Sequence, residues 1–106
     1  MTDYIGGRVT AFAGPPVTEP RKAQRCKLLE EAAEAFAAAQ GMEPYEDVDF
    51  DGDTDLRGCM VYDLANELAD VIQCVVNLAA IHGISPDELD AAMERCRERN
   101  RERGRV

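Results

Sequence analysis

The sequence lacks any unbroken apolar run near the roughly 18 residues a transmembrane helix needs, and its opening, MTDYIGG, lacks the basic-then-apolar layout of a signal peptide. Both absences lead to the expectation of a cytoplasmic protein without a membrane partner. No C-x-x-C pair occurs among Cys26, Cys59, Cys74 and Cys96, which argues against a zinc knuckle or a disulfide framework and leaves reduced, buried thiols as the expected state. A single histidine, His82, is present, at the end of a helical pattern where capping or packing is its expected role. Internal repeats and low-complexity tracts are also missing. What is there is a chain of 106 residues, 45% hydrophobic and 31% charged, the size and composition of one globular domain.

The charge is uneven. From Arg95 to the end six arginines stand against Glu98 and Glu102, a local +4, so a chain of net −9 carries −13 over residues 1–94. An acidic body of that kind repels a nucleic-acid backbone, and no nucleic-acid partner is expected. The arginines alternate along the sequence, which gives no single helical stripe, and no aromatic residue stands among them for base stacking. They read as a basic helix terminus favoured by the macrodipole, with one or two available for phosphate.

Glycine and proline divide the chain into segments. Residues 1–20 hold a short β-favouring stretch, Val9 to Phe12, between Gly6-Gly7 and Gly14-Pro15-Pro16, and read as an N-terminal extended arm. Residues 21–106 read as a helical domain. A first helix is expected over 21–40, rich in Ala and Glu and stopped by Gly41. An acidic loop follows over 41–58, and a second helix is expected from about Gly58 or Cys59 to His82, ending at Gly83. Ser85-Pro86-Asp87-Glu88 has the form of a capping box with proline at the first helical position, so a third helix starts at Pro86 and fades between Asn100 and Gly104. Three helices without a convincing sheet predict an all-α fold. Because the third is short and heavily charged, a bundle completed by a second copy is expected.

Carboxylates border the apolar arcs of the first two helices. At about 100° per residue, Glu30, Glu31 and Glu34 crowd one face, while Leu29, Ala32, Ala33 and Phe36 form the apolar arc of the same helix. In the second helix Asp63, Asp70, Cys74 and Asn77 lie to one side of Glu67, and Leu64, Leu68, Val71, Ile72, Val75 and Leu78 to the other. Like charges three and four residues apart repel, and beside a core that repulsion is weakly screened. A divalent cation would relieve it, and a set of oxygen ligands suits Mg²⁺ or Mn²⁺ rather than zinc. Spacing alone is equally compatible with a solvated acidic face.

Glu30-Glu31-Ala32-Ala33-Glu34 followed by Glu67-Leu68-Ala69-Asp70 resembles the E-E-x-x-E and E-x-x-D signature of the MazG-like, all-α nucleoside triphosphate pyrophosphohydrolases. The stretches KLLEEAAEAF, NELADVIQCVVNLAAIHGIS and ERCRERNRERGR are similar to small members of that family, and the resemblance covers residues 24–105. It implies a MazG-like helical bundle completed by oligomerisation, a homodimer or homotetramer, that cleaves a nucleoside triphosphate to the monophosphate and pyrophosphate. It also implies Mg²⁺, with Mn²⁺ as a substitute, held by Glu31, Glu34, Glu67 and Asp70. Glu30 and Glu31 take the catalytic positions, where a neighbouring carboxylate accepts the proton of attacking water. Lys27, Asn77, Asn100 and Arg103 fall where substrate contacts are expected. The runner-up reading is a non-catalytic helical dimerisation or binding module with a structural cation.

A third reading comes from Asp47-Val48-Asp49-Phe50-Asp51-Gly52-Asp53-Thr54-Asp55, which matches the first part of an EF-hand loop. Position 12 of that loop, which needs a bidentate Glu, is Gly58, and no helix leads into Asp47. A calcium site is therefore not expected there.

Overall fold

The computed structural model describes residues 2–11, 20–45 and 54–105, so the acids of the EF-hand-like segment from Asp47 to Asp53 lie outside the described residues, as do residues 12–19 of the arm. The described chain is mostly helical. Helix α1 spans Pro20–Gln40, with proline in the first turn, where its missing N–H is no loss. It ends as expected at Gly41, whose N–H donates to Ala37 O at 2.9 Å. A single 3₁₀ turn, Glu43–Tyr45, follows.

Helix α2 spans Thr54–Ile81 and so begins before Gly58, the residue expected to mark its start. Gly58 is an interior glycine with nothing near its missing Cβ, a position that costs about 1 kcal/mol relative to alanine without ending a helix. At the other end, Gly83 adopts φ 74°. Its N–H donates to Ala80 O at 3.1 Å and that of Ile84 to Ala79 O at 2.9 Å, the paired bonds of a Schellman stop. Helix α3 spans Pro86–Glu102; Ser85 caps it by accepting the Glu88 N–H at 3.1 Å.

The N-terminal segment is not simply extended. Strands β1 (Asp3–Tyr4) and β2 (Val9–Thr10) pair antiparallel, with Asp3 opposite Thr10 and Tyr4 opposite Val9. Ile5, Gly6 and Gly7 all take positive φ in the turn, a conformation that only the two glycines adopt without strain. The hairpin lies on the C-terminal half of α2, where Tyr4, Ala11, Val76 and Ala79 form a buried cluster flanked by Ile5, Val9, Ala80 and Leu89. The Tyr4 hydroxyl donates to Ile84 O, tying the hairpin to the α2–α3 turn.

The faces of α1 and α2 are rotated from the expected core. Leu29 and Phe36 of α1 are 73% and 66% exposed, and Leu68, Ile72 and Val75 of α2 also face outward. Instead α1 buries Glu31 and Ala35, with Gln24, Leu28 and Ala38 half-buried on the same heptad line. On α2 the matching line runs through Met60, Leu64, Glu67, Val71, Cys74, Leu78 and Ile81. Amphipathicity alone cannot separate two neighbouring apolar stripes, and one chain covers only one of them. The radius of gyration, 17.0 Å, exceeds the roughly 13 Å of a compact chain of this length and fits an open helical hairpin.

One further expectation changes. Of the four free thiols only Cys74 is buried; Cys26, Cys59 and Cys96 are exposed. Leu56–Ile81, 26 residues, is long and apolar enough to cross a membrane by length and composition, although Arg57, Asp63, Glu67 and Asp70 interrupt it. Counting unbroken apolar residues misses such a helix, because Leu, Val, Ile and Ala dominate its average. Core helices share this property, and here Glu67 and Asp70 meet a carboxylate of α1.

Candidate functional site

The seam between α1 and α2 brings three carboxylates together. One oxygen each from Glu31, Glu67 and Asp70 lies within 4.8 Å of the others. Glu31 comes from the buried heptad line of α1 and Glu67 from that of α2, while Asp70, one turn on, stands at the exposed edge. Glu31 is only 6% exposed. Its Oε2 and the Oε2 of Glu67 are buried without a hydrogen-bond partner. A buried carboxylate oxygen left unpaired is costly, and three carboxylates at this separation add mutual repulsion. A hard divalent cation ligated by oxygen satisfies both, so the donor set fits Mg²⁺ or Mn²⁺.

Lys27 offers partial compensation. Its Nζ lies 2.7 Å from Glu31 Oε1, one helical turn away. The hydrogen bond from Lys27 holds the Glu31 carboxyl below its ordinary range, with the lysine charge adding to it. That same bond pushes Lys27 upward. Glu34 moves the other way: the Glu31 charge raises its pKa most, followed by desolvation and the charge of Glu67. One lysine thus faces at least four acids. Burial pushes the Cys74 thiol up, away from a reactive thiolate.

Beside the carboxylates opens a cavity of about 430 Å³, lined by Gln24, Lys27, Glu31, Asp70, Gln73 and Asn77 among others. The carboxylates join Glu31 to Glu67 and Asp70, while the cavity joins the Gln24–Lys27 turn of α1 to the Gln73–Asn77 turn of α2, so the two helices run antiparallel. Asn77 is buried on α2, and its Oδ1 accepts from Gln73 Nε2 at 3.0 Å. The second Gln73 N–H reaches Thr10 O at 2.9 Å, which binds the end of β2 to the cavity wall.

The expected site residues therefore separate into groups. Glu31, Glu67 and Asp70 converge, and Lys27 and Asn77 line the adjoining cavity. Glu34 lies near enough to Glu31 and Glu67 to feel their charge, but outside the group of three. Glu30 is exposed on α1 next to Glu31. Asn100 and Arg103 stand at the far end of α3, where Asn100 Nδ2 donates to Cys96 Sγ at 3.6 Å and the Arg103 N–H to Arg99 O; neither lines the cavity. Gln24 and Gln73 went unnoticed in the sequence, although Gln24 stands seven residues before Glu31 on the same heptad line. Comparison of the chain with family models, curated proteins and solved structures returns no match in any of the three.

Proposed function

We propose that the chain is a Mg²⁺-dependent nucleoside triphosphate pyrophosphohydrolase that works as a homodimer or homotetramer. The observation that carries this reading is the convergence of Glu31, Glu67 and Asp70, two of them with unpartnered buried oxygens, beside a cavity that Glu31 and Asp70 line and that is large enough for a small molecule. The resemblance of both acid motifs to the MazG-like enzymes supplies the reaction. Glu31, Glu67 and Asp70, with Glu34 beside them, would hold Mg²⁺, which when bound would neutralise charge on the phosphate oxygens and activate water.

The chain's own groups do the rest. The oxygen of a water molecule forms its bond to the α-phosphorus as the bridge to the β-phosphate breaks, releasing monophosphate and pyrophosphate. Glu30, exposed beside Glu31, accepts the proton of that water. Lys27, 53% exposed at its side chain, can swing its ammonium from Glu31 toward the departing phosphates, where a point charge is useful. The uncovered stripe of Leu68, Ile72 and Val75 on α2, with Leu29 and Phe36 on α1, is the surface a second copy would cover to complete a bundle. The test is a screen of canonical and modified ribo- and deoxyribonucleoside triphosphates with Mg²⁺, following products by chromatography. Monophosphate and pyrophosphate in equal amounts support the reading; no turnover of any nucleotide, or release of orthophosphate alone, overturns it.

A further inference from the structure

The N-terminal hairpin precedes the stretch that resembles the MazG-like enzymes, yet it reaches the cavity wall. The Ala11 N–H donates across the hairpin to Thr2 O at 2.8 Å. In the trans peptide that joins Thr10 to Ala11 the carbonyl points the opposite way, off the edge of the two-stranded ribbon. Gln73 meets it there: its Nε2 lies 2.9 Å from Thr10 O and 3.0 Å from Asn77 Oδ1. A main-chain carbonyl only accepts, so the Gln73 amide cannot turn over without setting oxygen against oxygen. The nitrogen kept on that side obliges Asn77 in turn to present its own oxygen, because NH2 against NH2 would leave donors without acceptors. Two side-chain amides on the cavity wall are thus oriented in sequence from one backbone carbonyl of the hairpin. Asn77 is 8% exposed, so water does little to repair a reversed arrangement there.

We infer that Gln73 is a positioning residue that carries the seating of the N-terminal hairpin to Asn77, holding the Asn77 amide with its oxygen toward Gln73 so that its NH2 is oriented for an acceptor group of the substrate. This rests on the hydrolase reading above, in which Asn77 contacts substrate. The hairpin suits such control because strands of two residues are marginal by themselves, and Ile5, at φ 54°, adds backbone strain. Thr10 O therefore keeps its place only while the hairpin is seated, through Tyr4, 1% exposed, and the bond from its hydroxyl to Ile84 O. Unseating it frees both amides to turn over without touching Glu31, Glu67 or Asp70. Asn77 stands about 10 Å along the helix axis from Asp70, so the loss falls on substrate binding rather than on the reacting phosphorus.

The experiment measures kcat and KM, with Mg²⁺ and the nucleoside triphosphate hydrolysed fastest, for wild type, Gln73→Leu, Asn77→Ala, the double variant and Gly6→Val. Gly6→Val acts from a distance: a Cβ at Gly6 meets nothing within 4 Å, but φ there is 64°, where a β-branched residue is strained. Thermal melts establish that each variant is folded, and one without a cooperative melt is replaced by Gln73→Met or Gly6→Ala. The expected result is a KM raised about fivefold or more in Gln73→Leu and in Asn77→Ala, with kcat within about threefold of wild type. Gly6→Val raises KM by a smaller factor. The double variant goes no further than Asn77→Ala, because a residue that acts through another adds nothing once that other is gone. An unchanged KM in Gln73→Leu or in Gly6→Val, or effects that multiply in the double variant, overturns the inference while leaving the hydrolase reading intact. Should no nucleotide be hydrolysed, that reading fails, and side-chain amide signals in NMR spectra decide the positioning. One Asn77 NH2 pair in wild type that broadens or doubles in Gln73→Leu and in Gly6→Val supports it, and signals equally sharp in all three proteins overturn it.

Discussion

The covered end of α2 and the middle of the α1–α2 seam use their buried positions in opposite ways. Where the β-hairpin covers α2, the interior is Tyr4, Ala11, Val76 and Ala79, and the one buried hydroxyl donates to Ile84 O. Along the seam, the heptad positions that would ordinarily hold leucine hold Glu31 and Glu67, each with an unpartnered oxygen. The first end lowers the free energy of the fold by apolar burial and satisfied hydrogen bonds; the second raises it. Acids placed in a seam at the expense of stability are expected where binding offsets the cost, since a ligand that binds only the folded state stabilises it by mass action.

The sharpest way to break the comparison is at the covered end. Tyr4→Ala should cost about 3–5 kcal/mol, the range for emptying a buried aromatic site, and Tyr4→Phe about 1 kcal/mol for the bond to Ile84 O. Thermal melts at one fixed protein concentration, without metal, test both. Equal melting temperatures for wild type and Tyr4→Ala would show that the hairpin does not anchor the fold.

The seam should respond in activity instead. Asp70→Asn removes a charge from an exposed edge position, so the fold should persist while hydrolysis falls by about 100-fold or more. Product chromatography at several Mg²⁺ concentrations measures it, and activity within a few-fold of wild type would remove Asp70 from the site. A change on the outer stripe probes a third surface. Ile72→Lys, at a position 45% exposed in one chain, should convert a dimer into monomers at micromolar concentration by light scattering. A wild-type monomer would refute the second copy.

The smallest effect concerns pH. Glu34 has its carboxyl pKa raised in the folded chain, chiefly by the Glu31 charge, so the folded state holds that proton more tightly than the unfolded state does. Its contribution is therefore favourable below the ordinary value of 4.5 and is lost as pH rises through the raised value. Glu31, lowered by Lys27, contributes in the opposite sense, with stability present above 4.5 and lost as pH falls through its lowered value. Metal-free Glu34→Gln should melt slightly higher than wild type at neutral pH, with the gain shrinking on acidification toward 4.5. A gain that persists unchanged at low pH would mean charge is not its cause.

Much of the scaffold was legible in the sequence because local chemistry fixes it. Gly41, Gly83 and the Ser85-Pro86 step act within a few residues, and each terminates or starts a helix where expected. Gly58 misled because an exposed interior glycine costs less than the rest of a 28-residue helix contributes. The hairpin escaped because two-residue strands gain their stability from long-range contacts with Val76 and Ala79, which no local pattern encodes. The acids of the site were legible from their spacing. Their depth was not, since the arc through Leu29 and Phe36 outweighs the line through Gln24, Glu31 and Ala35 in any hydropathy reading, and burial is decided by which stripe α2 meets. Gln24 was hidden for the same reason.

Calorimetric titration of Mn²⁺ into wild type and into Glu67→Gln tests the carboxylate seam most directly. The expected result is one saturable site per chain in wild type, weakened at least tenfold when the half-buried Glu67 loses its charge, with a rise in melting temperature on metal addition only in wild type. No saturable binding to wild type, or equal affinity in the two proteins, would contradict the assignment of Glu31, Glu67 and Asp70 as a metal centre.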